Sequence, residues 1–167
     1  SDLSAQEILC VGFSGQMHGA VLLDSGDEVV RNAIIWCDQR SEAQSNELSD
    51  LFGREALIRL TSNPPLTNFT LTKLLWVRET EPKNWARVAH VMLPKDYVRF
   101  RLTGERAIDV ADASGTLLLD VANRKWSIEV LRKAGIDPAL LPALYESSQM
   151  CGKVSAAGAE ATGLRMG

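Results

Sequence analysis

No stretch of this sequence approaches the roughly 20 consecutive apolar residues that cross a bilayer, so a membrane-spanning helix is not expected. Basic residues are not in excess either: 18 Lys and Arg stand against 21 Asp and Glu, a formal net charge of −3. Nucleic acids and anionic membrane surfaces both select basic patches, so neither is an expected partner. Cysteine is sparse, with Cys10, Cys37 and Cys151 only. Their odd number and wide spacing match neither a disulfide framework nor a zinc-type Cys/His set. Cys10 and Cys37 fall in apolar runs, which predicts buried thiols in a reducing compartment. Ser1-Asp2-Leu3-Ser4 has neither the basic nor the apolar region of a secretion signal, so a cytoplasmic location is expected. The chain shows no internal repeat, low-complexity tract or interdomain linker.

What is present is one domain's worth of chain, 167 residues with an apolar fraction of 46%, enough for a real core. Ala20-Val21-Leu22-Leu23, the turn cluster Asp24-Ser25-Gly26-Asp27 and Glu28-Val29-Val30 read as a β-hairpin, with Ile34 and Ile35 in a further short strand. Ser41-Glu42-Ala43-Gln44 fits a capping box and opens a helix towards Phe52 that Gly53 stops. A short helix covers Glu55 to Leu60. Leu71, Leu74, Leu75 and Arg78 have the spacing of an amphipathic helix. Val88 to Leu93 suits a strand, and Pro94 to Gly104 a helix bounded by its usual start and stop residues. Asp112 to Gly115 reads as a turn before the apolar run Thr116 to Leu119. Ser127 and Ser155 each cap a later helix, closed by Gly135 and Gly163. Strands and helices alternate around one hairpin, which means α/β with a mixed sheet.

Two segments carry the functional expectation. Ile8 to Phe13 reads as a strand buried on both faces, ending at Ser14-Gly15 in a tight turn. Ligands of open α/β sheets bind at such carboxyl ends. Gln16 and His18 there offer neutral hydrogen-bonding groups beside Met17, an adaptable apolar surface. That mixture suits a polyhydroxylated small molecule better than a phosphate or a metal. The second segment, Asn32-Ala33-Ile34-Ile35-Trp36-Cys37-Asp38-Gln39-Arg40, ends the same way. Trp36 serves equally as core or as a site wall with its N–H on the polar side. Asp38 and Arg40 form either a solvated pair near the start of the helix at Ser41 or a ligand-bonding pair.

The residues resemble a known family. The blocks Gly15-Gln16-Met17-His18-Gly19-Ala20, Ala33 to Arg40, Phe69 to Val77, Leu93 to Tyr97, Leu102 to Glu105 and Asp109 to Thr116 are similar, in order and spacing, to the N-terminal domain of the FGGY carbohydrate kinases. Among these, the Gln-Met-His-Gly block is most like the xylulose kinases. The resemblance implies an actin-like, ribonuclease-H-like α/β domain, a mixed sheet with flanking helices, that lacks its opening strands. Residues 1–167 are then a partial N-terminal domain of a longer enzyme that uses ATP and Mg2+ to phosphorylate a sugar, D-xylulose by closest likeness.

Gln16, Met17, His18, Trp36 and Asp38 are the implied substrate-binding residues. Asn68 departs from the aromatic residue or glycine that some relatives carry there. The family's Asp-x-Gly-Thr phosphate loop and its Gly-Gly-Asp-Asn aspartate have no counterpart in this sequence. Phosphoryl transfer needs a phosphate cradle, a metal site and a group that orients the attacking hydroxyl. No catalytic, nucleotide-binding or metal-binding residue is therefore assigned, and neither cofactor is expected on this stretch alone. The strand Ile8 to Phe13 would show an unpaired edge, so it is expected to pair with another chain, as in a homo-oligomer, to swap, or to be covered by a rearranged segment. Other readings are a kinase of ribulose, gluconate, glycerol or a signalling sugar, and a non-catalytic actin-like module for assembly or sensing.

Overall fold

The computed structural model describes residues 4–167. The N-terminal reading falls partly on residues 1–3, outside the described residues. The elements run in the order β1 (Val21–Leu23), α1 (Glu42–Phe52), α2 (Arg54–Thr61), α3 (Thr70–Thr80), α4 (Pro82–Trp85), β2 (His90–Met92), α5 (Pro94–Thr103), β3 (Ala107–Asp109), α6 (Val110–Ser114), β4 (Leu119–Asp120), β5 (Lys125–Trp126), α7 (Ile128–Ala134), β6 (Ala143–Tyr145) and α8 (Ala156–Thr162). The strands form three two-stranded ladders: β1–β2 and β4–β5 antiparallel, β3–β6 parallel. Both strand directions occur, as the alternating pattern implied, but in separate short ladders rather than one continuous sheet.

The β1–β2 ladder is covered on both faces because side chains alternate along a strand. Ala20, Leu22 and Val91 join the main core with Leu48 of α1, Leu57 of α2 and Leu71, Leu74 and Leu75 of α3. Val21, Leu23 and Met92 point the other way and pack with Phe100 of α5. A third cluster, Leu93, Ile108, Ala113 and Leu119, continues that side towards β3 and β4. Helices thus lie on both sides of a thin strand layer.

Several helix ends form as their residues dictate. The side chains of Ser127 and Ser155 accept hydrogen bonds from the backbone N–H groups of Val130 and Gly158. Helix α3 is not the one-sided amphipathic helix that its leucine spacing suggested. Thr70 to Leu75 and Val77 are all buried, so it runs through the core and meets packing partners all round.

Four expectations need correction. Residues 8–13 form no strand: they carry no ladder pairing, and Ile8, Leu9 and Val11 are exposed. Apolar composition favours a strand only where a neighbour supplies the other half of each hydrogen bond. One edge of β1 is taken by β2, and its remaining bridges go to Val29 and, through Ala20, to Ile34. Cys10 and Cys37 are exposed rather than buried, because neither lies in a covered strand.

The capping box at Ser41 is not made. The Ser41 hydroxyl donates instead to the Thr67 carbonyl (3.1 Å) and lies 3.0 Å from Thr72 Oγ1, while the Gln44 amide donates to Glu79 (2.6 Å). Tertiary partners have outcompeted the local cap. Lastly, the segment read as a turn at Asp112 to Gly115 is the end of α6, which Asp109 caps by accepting from the Asp112 N–H.

The C-terminal helix α8 docks on α5 through one carbonyl. Leu102 O accepts from the Ser155 backbone N–H (3.0 Å) and the Ser155 hydroxyl (3.1 Å), and Gly158 lies directly against it. A Cβ at Gly158 would overlap that carbonyl oxygen. Gly158→Ala should destabilise the domain by about 1–3 kcal/mol, the usual range for overpacking a rigid contact. Urea unfolding followed by far-ultraviolet circular dichroism measures this; a neutral result would show that α8 is not docked as described.

Candidate functional site

His18 lies at the tip before β1 with φ +62°, in the left-handed region that few non-glycine residues occupy. Its position is determined from two sides. Nδ1 lies 2.8 Å from the carbonyl oxygen of Gly115, and the ring meets Phe69 edge-on, centroids 4.8 Å apart at 75°. A carbonyl can only accept, so Nδ1 carries the proton and donates. Partial burial holds the imidazole below its ordinary pKa of 6.5. The Gly115 bond opposes this in part, and the Lys73 charge reinforces it. The neutral ring therefore presents its Nε2 lone pair as an acceptor.

Lys73 is the second component. It sits in the second turn of α3 with its whole side chain buried. Its ammonium donates to the carbonyls of Thr67 (3.1 Å), Asn68 and Phe69 (3.4 Å), binding the loop before α3. Burial lowers its pKa from 10.5 to about 8, with Asp38 and Cys37 opposing the shift. Asp38 is itself held below its ordinary value, chiefly by a two-pronged bond to Arg40 (2.9 and 2.7 Å). The Arg40 guanidinium in turn stacks over Trp76, 4.8 Å from the ring centroid. Thr67 also donates to the Gln39 side-chain oxygen.

Lys73 thus links His18 and Asp38 electrostatically. Gln16, Met17 and Trp36 are solvent-exposed beside these groups in the sequence. None of the five expected residues lines the large cleft of about 1010 Å³, which runs instead along residues 8–15, Lys95, Asp109, Asp112 and residues 145–154. Of the His18–Lys73–Asp38 group, His18 and Asp38 are half-buried, while Lys73 lies beneath the surface. Gly115 and Phe69, which orient His18, lie within the family-like sequence blocks, but neither bears a chemical group that marks it as a site residue.

A second charged cluster borders the cleft. Lys95 Nζ meets Asp96 (2.7 Å), Asp109 (2.7 Å) and Asp112 (3.0 Å), and Arg99 meets Asp96 (3.1 Å). Burial opposes the Lys95 charge, but the three carboxylates outweigh it and raise its pKa. These acids are thereby consumed in ion pairs. Among the described residues no group of His, Cys, Asp or Glu has the arrangement of a metal site. Among the described residues, the carboxylates beside the cleft are engaged with Lys95 and do not fit Mg2+.

The model of the FGGY family of carbohydrate kinases, N-terminal domain, matches residues 1–167. The chain belongs to the FGGY family. It is 43% identical to the xylulose kinase of Bacillus subtilis (strain 168) over 98% of this chain and 33% of that protein. The crystal structure of xylulose kinase from Rhodospirillum rubrum superposes with a TM-score of 0.88 at 30% identity, over 92% of this chain and 31% of that one. That of gluconate kinase from Lactobacillus acidophilus gives 0.87 at 25%, over 95% and 32%. The fold is thus the family's actin-like, ribonuclease-H-like α/β domain. The chain spans about a third of the length of the curated relatives it matches.

The buried Lys73 charge gives a signed prediction. Its folded pKa of about 8 lies below its ordinary 10.5, so between those values the unfolded chain binds more protons. The penalty of burying the charge is full below pH 8 and fades as pH rises to 10.5, and stability rises across that window through this group. Urea unfolding from pH 7.5 to 10.5 should show the rise, and Lys73→Met should abolish it. An equal slope in both chains would mean that Lys73 keeps its ordinary pKa when folded.

Proposed function

We propose that this chain is the sugar-contacting part of an ATP-dependent kinase that phosphorylates D-xylulose to D-xylulose 5-phosphate. The observation that carries the reading is His18, held at a strand tip with one ring nitrogen tied down and the other without a hydrogen-bond partner among the described residues. A fixed, neutral acceptor of that kind suits a sugar hydroxyl, which can donate to it. Met17 beside it supplies an apolar surface for a C–H face. In this reading Trp36 contributes an exposed indole and Asp38 a carboxylate acceptor. Gln16 adds an amide that both donates and accepts.

The choice of D-xylulose rests on relatives named xylulose kinase at 38–44% identity over most of this chain. ATP and Mg2+ belong to the proposed reaction of the longer enzyme, and this chain's residues supply neither site. Because the aspartates near the cleft are already paired, the sugar-facing groups bind and orient rather than move the phosphoryl group. A cytoplasmic location, where ATP and free sugar meet, belongs to the same proposal. A second reading, a kinase of another sugar or polyol, gluconate among them, is favoured by the nearly equal superposition on a gluconate kinase.

Two measurements test the reading. In an enzyme of the relatives' full length carrying this sequence, D-xylulose should be phosphorylated in preference to ribulose, gluconate and glycerol. Preference for gluconate would move the assignment to the second reading. The 167-residue chain alone should show no sugar-dependent turnover. In the same enzyme, His18→Ala should raise the sugar KM about tenfold, the equivalent of ~1.4 kcal/mol and within the range of one hydrogen bond. The KM for ATP should not move. An unchanged sugar KM would remove His18 from the sugar site.

A further inference from the structure

We infer that Gly115 is a positioning residue for His18: it holds the imidazole so that Nε2 faces outward as a hydrogen-bond acceptor, the ligand's share being an O–H donor. The inference rests on the sugar-binding reading of His18 and adds what fixes its chemistry.

Gly115 has φ −85° and ψ 13°, a conformation open to any residue, so the backbone does not call for glycine there. The reason is local and steric. A Cβ at Gly115 would lie well inside 3.0 Å of both Nδ1 and Cε1 of His18, while its next neighbour, the Asp112 carbonyl, would be at an ordinary 3.5 Å. The imidazole alone occupies the space. Gly115 acts twice on that ring: its missing side chain leaves room, and its carbonyl accepts the Nδ1 proton.

The carbonyl is itself held in place. Asn63 donates to the Ser114 carbonyl (2.8 Å), the Leu71 N–H donates to the Thr116 carbonyl (3.0 Å), and the Gly115 N–H donates to Asp112. The peptide before Gly115 and the one after Thr116 are thus each tied to another part of the chain. Phe69 blocks the ring from turning aside. With the proton fixed on Nδ1, the neutral ring has one remaining hydrogen-bonding atom, and it only accepts.

The readouts separate this from a structural role. In the unliganded chain at neutral pH, imidazole nitrogen NMR should show the proton on Nδ1 and none on Nε2. A proton on Nε2 overturns the inference, whatever the sugar kinetics. In the full-length enzyme, Gly115→Ala should raise the sugar KM at least fivefold more than it changes kcat. In a His18→Ala background the same change should leave the KM unmoved and raise the melting temperature, since Gly→Ala at an unstrained site stabilises by restricting the unfolded chain. Equal effects of Gly115→Ala in both backgrounds would overturn the inference. If His18→Ala alone leaves the sugar KM unchanged, the sugar reading fails and the ligand part of the inference fails with it, while the proton position is still read by NMR.

Discussion

An ammonium group buried without a carboxylate in contact is the constraint on which this face depends. Among the described residues Lys73 has no ion-pair partner within 4 Å, and its charge is satisfied by backbone carbonyls of the loop it follows. Burying a charge is tolerated only where hydrogen bonds replace water. The loop must therefore fold back over the start of α3, and folding back sets Phe69 against His18. The same bend brings Thr67 within reach of both Ser41 and Gln39, tying the start of α1 to the start of α3. One side chain thus links the strand tip, the Trp36–Arg40 segment and the core helix.

Lys95 shows how far the outcome depends on the partner rather than on burial. Both lysines are almost wholly covered. Lys95 faces three carboxylates and its pKa rises; Lys73 faces carbonyl dipoles and its pKa falls to about 8. Dipoles offset less of the desolvation penalty than full charges do. The Lys95 cluster accordingly behaves as a brace, joining α5, β3 and α6 beside the cleft. The Lys73 cluster stays close to the point of proton loss and electrostatically coupled to His18 and Asp38.

Much of the helical framework was legible because its signals are local. Ser127, Ser155, Pro94 and Gly104 act within one turn of themselves, and the helices start and stop where those residues stand. The failures at Ser41 and at residues 8–13 turn on partners far along the chain. Ser41 and Gln44 had the right residues for a local cap, but Thr67, Thr72 and Glu79 took them. Residues 8–13 had the composition of a strand but found no edge to pair with. The candidate site divided the same way. His18 stood out because imidazole has visible chemistry. The carbonyl of Gly115 is backbone, ninety-seven residues away, and no side-chain pattern announces it.

The superpositions bear on how such a site becomes selective. Xylulose kinase and gluconate kinase structures match this backbone almost equally, at TM-scores of 0.88 and 0.87. The backbone alone therefore cannot distinguish a ketose from a sugar acid. The distinction must come from individual polar groups, each worth about 0.5–1.5 kcal/mol. A hydroxyl's oxygen both donates and accepts, so a freely turning imidazole would accept many arrangements of hydroxyls. An imidazole whose tautomer is fixed requires a donor at one point in space, and a carboxylate placed there would meet a lone pair. Fixing the proton on Nδ1 turns a generic polar contact into a selective one, and the group that fixes it makes no contact with the sugar in this proposal.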